Sequence, residues 1–404
     1  MIPRPFYLDR IRAYLDTPVV KVITGMRRVG KSTLLAGLRE ALLARAVPAS
    51  QILSINKDLV AWDAVRDYRD LDRVVHERFA GVPAPRYLMV DEIQEIDGWE
   101  KAINSFIAEG LADLVIAGSN AHLLSTELAT LLTGRYVETP VYPLSFSEFR
   151  EFRHAASDPG DQRTQFARFL RYGGLPGLHL LPMDDDVLFP FLNSILNTIL
   201  LKDIVKRHAV RDVGQLERVL SFAFDNCGSP ISGRNISAFF KNQRLRITTE
   251  TVINYLSHLC DAFLLFRTGR FEIKGRKHLE FRDKYYLGDL GLRHALFGYR
   301  EADIGGLLEN VVYLELLRRG YKVNVGLVDQ YEIDFVAERH GERLYVQVAY
   351  LLATPETVKR EFGNLERIAD NHPKLVLSMD ELGPAQRNGI RQQNLVEWLL
   401  SSPQ

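Results

Sequence analysis

Residues 19–35, VVKVITGMRRVGKSTLL, constrain what this chain can fold into more than any other stretch. A β-branched run (Val19, Val20, Val22, Ile23) predicts a buried strand, and the leucines after Lys31 predict a helix. Between them stands Gly25-Met26-Arg27-Arg28-Val29-Gly30-Lys31-Ser32-Thr33, the pattern of a P-loop. Its two glycines let the backbone curl so that successive N–H groups point inward, and the N-terminus of the following helix adds its dipole. Residues 25–33 are therefore expected to cradle the phosphates of ATP. Lys31 should reach the β- and γ-phosphates, and Ser32 should ligate Mg2+. An ordinary glycine turn is the alternative, and the strand before and helix after argue against it.

With 404 residues and a prior of about 150 residues per domain, two or three domains are expected. Lys plus Arg and Asp plus Glu balance at 51 each, so a nucleic-acid site has to be a local patch. The two cysteines, Cys227 and Cys260, lack paired spacing, which argues against a disulfide framework or a zinc site and fits a reducing compartment. The N-terminal segment holds no long apolar region, and no uninterrupted apolar run of eighteen residues is found. The expectation is a soluble cytoplasmic protein with no membrane partner.

Helical spacing at 7–15, 31–43, 71–79 and 99–107 alternates with short apolar runs at 52–55, 87–91 and 114–117, with a last strand expected at 137–141. That alternation predicts an α/β domain with a parallel sheet covered on both faces, over residues 1–160. Ser145 followed three residues later by Glu148 predicts a capping box. Residues 161–210 read as a helical lid or connector. Residues 211–300 show three helical segments and then two strands, the order of a winged helix. Residues 301–404 read as a further α/β domain.

Asp91 and Glu92 close a hydrophobic strand about sixty residues beyond the P-loop. An ATPase needs a carboxylate there to hold Mg2+, the role expected of Asp91, and a second in line with the γ-phosphate to polarise water, the role expected of Glu92. Asn120, just after the strand at 114–117, is the natural polar group between Glu92 and the γ-phosphate, with Ser119 as substitute. Arg135 is a candidate stabiliser of transition-state charge, acting in its own chain or on a neighbouring subunit of a homo-oligomer. A strand that merely ends in a polar loop, a Gly-Ser-Asn turn and a surface arginine are the corresponding plain readings.

Together with Gln94, Trp99-Glu100, Gly134-Arg135-Tyr136 and Pro143-Leu-Ser-Phe, these blocks resemble bacterial and archaeal AAA-type ATPases that carry a C-terminal domain of unknown function. Gly173-Gly-Leu-Pro176, Leu201-Lys-Asp203-Ile, Glu332-Ile-Asp334-Phe and Gln347-Val-Ala349 extend the resemblance over nearly the whole chain. Met26 stands where the family is expected to have proline. The resemblance implies an ASCE-type sheet in which the Gly-Ser-Asn strand separates the Asp-Glu strand from the P-loop strand.

The ribbon at 267–284 carries Arg267, Arg270, Lys274, Arg276, Lys277, Arg282 and Lys284, with Lys241 and Arg244 to Arg246 near the preceding helices. Arg244, Arg246, Arg270, Lys274, Arg276 and Lys277 are the candidate DNA contacts, of a kind that suits phosphates. A hairpin that meets a protein instead remains the alternative. By order of elements, residues 301–404 resemble a PD-(D/E)XK nuclease fold, with Glu309 on a helix and Asp334 on a strand. Gln347 replaces the expected acid and Ala349 the expected lysine, so a module that binds without cutting is expected, unless Lys359 compensates. The reading is thus an ATPase that couples hydrolysis to holding or remodelling DNA, branched and single-stranded forms included. A nucleotide-dependent switch acting on a protein partner is the alternative, and a metal-dependent nuclease a further one.

Overall fold

A computed structural model describes residues 2–121, 134–381 and 385–401, the side chains of 280–282 excepted. The chain divides into two units, residues 1–142 with 261–263, and residues 143–260 with 264–404.

The first unit is a parallel sheet covered by helices. Its strands are β1 (Val20–Thr24), β2 (Ile52–Asn56), β3 (Tyr87–Asp91), β4 (Asp113–Gly118) and β5 (Tyr136–Pro140), in the order β2-β3-β4-β1-β5. The Gly-Ser-Asn strand β4 does lie between β3 and β1. Every residue of β1 and of β3 is buried, which is why both read as continuous apolar runs rather than alternating ones. Helices α1 (Pro5–Arg12), α2 (Lys31–Ala44), α3 (Tyr68–Phe79) and α4 (Trp99–Glu109) complete the unit. Leu71, Val75 and Phe79 of α3 and Ala102, Ile103 and Phe106 of α4 pack on Leu53, Leu88 and Leu114 of the sheet. Parallel strands need such crossovers, and all carboxyl ends of the strands then face one edge, where the P-loop sits.

The second unit begins with α5 (Phe146–Ala155), α6 (Gln162–Tyr172) and α7 (Asp185–Thr198), the last continuing as a π-helical stretch at Ile199–Lys206. The capping box of α5 is present, Glu148 N–H donating to Ser145 Oγ at 3.1 Å and Ser145 N–H to Glu148 Oε2 at 2.9 Å. The continuous helix Asp185–Lys206 is long and apolar enough by composition to cross a membrane. Leu188, Leu192, Ile195, Leu196, Ile199, Leu200 and Ile204 along it are buried within the protein. Then come α8 (Val213–Asp225), α9 (Gly233–Asn242), α10 (Thr249–Asp261), the ribbon β6 (Leu265–Glu272) and β7 (Lys277–Leu287), and α11 (Leu290–Phe297), which the sequence did not announce.

After α11 follow α12 (Ile304–Arg318), β8 (Lys322–Val328), β9 (Tyr331–Arg339), β10 (Glu342–Val348), α13 (Pro355–Glu366), β11 (Lys374–Ser378), β12 (Ala385–Arg387), β13 (Ile390–Asn394) and α14 (Leu395–Leu400). The eight strands β6–β13 form one mixed sheet, ordered β12-β13-β11-β10-β9-β8-β6-β7. This corrects the expectation of a free wing. Arg270, Phe271 and Glu272 of β6 pair in parallel with Val325, Gly326 and Leu327 of β8. Phe271 and Ile273 sit in one core with Val336, Tyr345, Phe362 and Val376. The ribbon is therefore the edge of a larger sheet, not a hairpin standing off three helices.

Candidate functional site

At the carboxyl end of β1 the chain enters the left-handed region at Gly25 (φ 148°), Arg28 (72°) and Gly30 (100°), closing the loop onto α2. Gly25 has no room for a side chain, since a Cβ there would lie 2.3 Å from the Val141 carbonyl oxygen. Arg4, buried beneath the loop, donates to the Val29 carbonyl at 2.9 Å and braces it from behind. Met26 and Val29 are buried, while Arg27 and Arg28 lie nearer the surface. Lys31 Nζ donates to the carbonyls of Gly25 at 2.8 Å and Met26 at 3.2 Å, so the ammonium points into the loop's concave side.

The acids meet the loop there. Asp91 is hydrogen-bonded to the Ser32 side chain, and burial pushes its carboxyl above the usual range. Two hard oxygen donors held together suit Mg2+. Glu92 has left-handed backbone (φ 52°), which turns its side chain off the strand towards the P-loop, with Oε1 4.0 Å from Lys31 Nζ. Ser119 Oγ donates to Glu92 Oε2 at 3.1 Å, and Gln94 donates to the same oxygen. Burial works to raise the Glu92 carboxyl, but Lys31, Arg27, Gln94 and Ser119 outweigh it and hold it below its ordinary value. A carboxylate that stays ionised while 5% exposed can accept a proton from water without losing its orientation. Asn120, also buried, follows Ser119 directly beyond β4. The role of Gln94 was not read from the sequence. Its signal is the spacing Asp91-Glu92-Ile93-Gln94, where a single 3-10 turn, Ile93–Glu95, brings position 94 back over 92.

Arg135 does not join this group. It precedes β5, whose first residue pairs with Val20, and its own carbonyl accepts from Val20 N–H. The P-loop starts five residues further along β1, roughly 16 Å at about 3.3 Å per residue, beyond a side chain's reach. Within its own chain, then, Arg135 lies at the opposite edge of the sheet.

The basic ribbon is largely neutralised. Arg267 pairs with Asp283 at 2.6 Å, Arg270 with Glu332 at 2.6 Å, Lys274 with Asp329 at 2.6 Å and Lys277 with Glu272 at 3.7 Å. Arg276 at its tip is exposed, as are Lys241, Arg244 and Arg246 at the turn between α9 and α10. The side chain of Arg282 lies outside those described. Glu309 on α12, Asp334 on β9 and Gln347 on β10 converge, Gln347 Oε1 accepting from Asp334 N–H at 3.4 Å. Lys359 is exposed on α13 and does not serve them. Lys284 of β7 does, lying 2.9 Å from Glu309 Oε1.

A family model described as an AAA domain matches residues 17–150, and one described as a domain of unknown function (DUF8612) matches residues 163–303. An uncharacterized protein of Haemophilus influenzae is 37% identical over 400 residues, 99% of each chain. Another, from Methanocaldococcus jannaschii, is 28% identical over 351 residues, 82% of this chain and 75% of its own. The solved Walker-type ATPase of Pyrococcus abyssi superposes with a TM-score of 0.53 at 14% identity, covering 74% of this chain and 96% of that one. At that identity the likeness is one of fold. The chain belongs to the same family as the Haemophilus influenzae protein, and its N-terminal part matches the AAA-domain model and has the P-loop ATPase fold.

Proposed function

We propose that the chain binds ATP with Mg2+ at residues 25–33 and hydrolyses it, and that hydrolysis is coupled to holding or remodelling DNA. The observation that carries hydrolysis, beyond phosphate binding, is the placement of Glu92: buried, and held by Ser119 and Gln94 beside Lys31. In this reading the loop N–H groups and Lys31 hold the phosphates, while Ser32 and Asp91 would hold Mg2+, which would supply positive charge to offset that of the phosphates. Glu92 takes the proton of the attacking water, and Asn120 orients that water or the γ-phosphate. Arg135, being out of reach in its own chain, serves a neighbouring subunit of a homo-oligomer.

For DNA the supporting cations are Lys241, Arg244, Arg246 and Arg276, which are exposed; Arg270, Lys274 and Lys277 are already paired with acids. Those pairings favour, as second reading, a nucleotide switch that acts on a protein partner. Anisotropy titrations of the full chain with duplex, single-stranded and branched DNA, alongside ATPase rates, separate the two. Binding at moderate salt that weakens in Arg244→Ala/Arg246→Ala, with a DNA-dependent rate, is expected. No binding to any form, with turnover indifferent to DNA, overturns the DNA reading and leaves the switch.

A further inference from the structure

Lys284 is buried to 3% exposure and stands 2.9 Å from Glu309 Oε1 and 2.8 Å from Glu332 Oε1. Tyr286 donates to the same Glu309 oxygen, and Arg270 holds the other oxygen of Glu332 at 2.6 Å. Asp334 is half-buried beside them, its Oδ2 accepting from Val348 N–H at 2.7 Å. Carboxylates from a helix and a strand thus gather around one positive centre that comes from a third element, β7.

That is the charge arrangement of a hard divalent cation, with an ammonium in its place. We infer that this pocket is a latent divalent-cation site whose cation the chain supplies itself, as Lys284, and that Mg2+ or Mn2+ enters only once Lys284 is removed. The sizes permit the exchange. An ammonium keeps its oxygens at 2.8–2.9 Å, and a small divalent cation would draw them in to about 2.1 Å. Flexible glutamate side chains can close the difference. Gln347 fits the same account, because a neutral amide in place of another acid limits the negative charge that one ammonium must balance. Removing the ammonium leaves the half-buried carboxylates of Glu309, Glu332 and Asp334 without their shared counter-charge, a condition that favours cation uptake.

The test is a Mn2+ titration of the full chain without nucleotide, with bound ion read by electron paramagnetic resonance. Wild type is expected to show no binding that Asp334→Asn removes. Lys284→Ala should gain one Mn2+ at least tenfold tighter than wild type, and Lys284→Ala/Asp334→Asn should lose it. Wild-type binding abolished by Asp334→Asn overturns the inference, as does a folded Lys284→Ala that binds no tighter than wild type. Should Lys284→Ala be unfolded in chelator, Mn2+ must restore its cooperative thermal transition; a chain that stays unfolded with Mn2+ also refutes the idea.

Discussion

Replacing Gly25 with alanine tests the nucleotide cradle at the point where sequence and geometry agree most closely. The new Cβ would meet the Val141 carbonyl oxygen at 2.3 Å and Val29 Cγ2 at 3.2 Å, in a backbone conformation (φ +148°) that L side chains rarely adopt. Relaxed non-bonded contact lies near 3.5 Å, so the methyl group is about 1.2 Å too close to a backbone atom. Val141 cannot retreat cheaply, because its N–H is bonded to the Thr24 carbonyl at 2.7 Å. Left in place, overpacking and backbone strain cost about 1–3 kcal/mol each. The loop relieves them by moving off Val141 by about 1 Å, which lengthens its N–H bonds to bound phosphate. Charge-assisted bonds of that kind contribute about 1.5–3 kcal/mol apiece. Losing one or two of them weakens ATP binding by roughly a hundredfold or more. Titration with a fluorescent ATP analogue, with a thermal melt in parallel, measures both consequences. Gly25→Ala binding within about threefold of wild type would refute the reasoning, since the cradle would then not depend on that close approach.

Glu92→Gln should leave ATP affinity nearly intact and lower turnover by about 100-fold or more, with Lys31→Ala losing binding as well; full activity in Glu92→Gln would assign the base elsewhere. Lys21 and Asp113 form a buried ion pair at the far end of β1, so Asp113→Ala should cost about 3–5 kcal/mol in urea unfolding by stranding the ammonium. Lys21→Met/Asp113→Leu should recover most of that loss, and a double variant as unstable as the single one contradicts the account. The buried Asp289 carboxyl is pushed up to about 6 by burial, against N–H donors from Gly174, Leu292 and Gly291. Because the folded state holds that proton more tightly than the unfolded chain, whose aspartate titrates near 3.9, this group makes stability fall as pH rises from about 4 to about 6. Comparing the pH slope of the urea midpoint in wild type and Asp289→Asn checks it, and identical slopes count against it. Ser145→Ala should remove the capping box of α5 at a cost of about 1 kcal/mol, seen as a lower melting temperature.

What could be read from the sequence follows from the range over which each cause acts. The strand, P-loop and helix around Lys31 are legible because β-branching, glycine sterics and helix periodicity all operate within a few residues. Ser145 with Glu148 is legible for the same reason. Asp91 and Glu92 are legible because a buried strand ending in two acids is a local event, and the P-loop upstream supplies the meaning. The ribbon shows the limit. Three helices followed by two strands satisfy every local rule for a winged helix, yet β6 pairs with β8, Arg270 opposite Val325. Nothing within residues 265–287 encodes a partner 55 positions away, and once that pairing forms, the basic residues that looked available for phosphates meet Glu332 and Asp329 instead. Lys284 was visible as one charge in a basic run, and its two carboxylates lie 25 and 48 residues downstream. Its meaning thus came only with the sheet: a cation on the edge strand β7 acquires a chemical role when β9 and α12 bring acids to it. The same reasoning applies to Arg135. Its place beside a glycine invited a role at the γ-phosphate, but the parallel register of β5 with β1 sets it at the wrong end of the strand. If it acts on nucleotide at all, the nucleotide belongs to another subunit, and mixing Arg135→Ala with Glu92→Gln chains should then yield more activity than either variant alone.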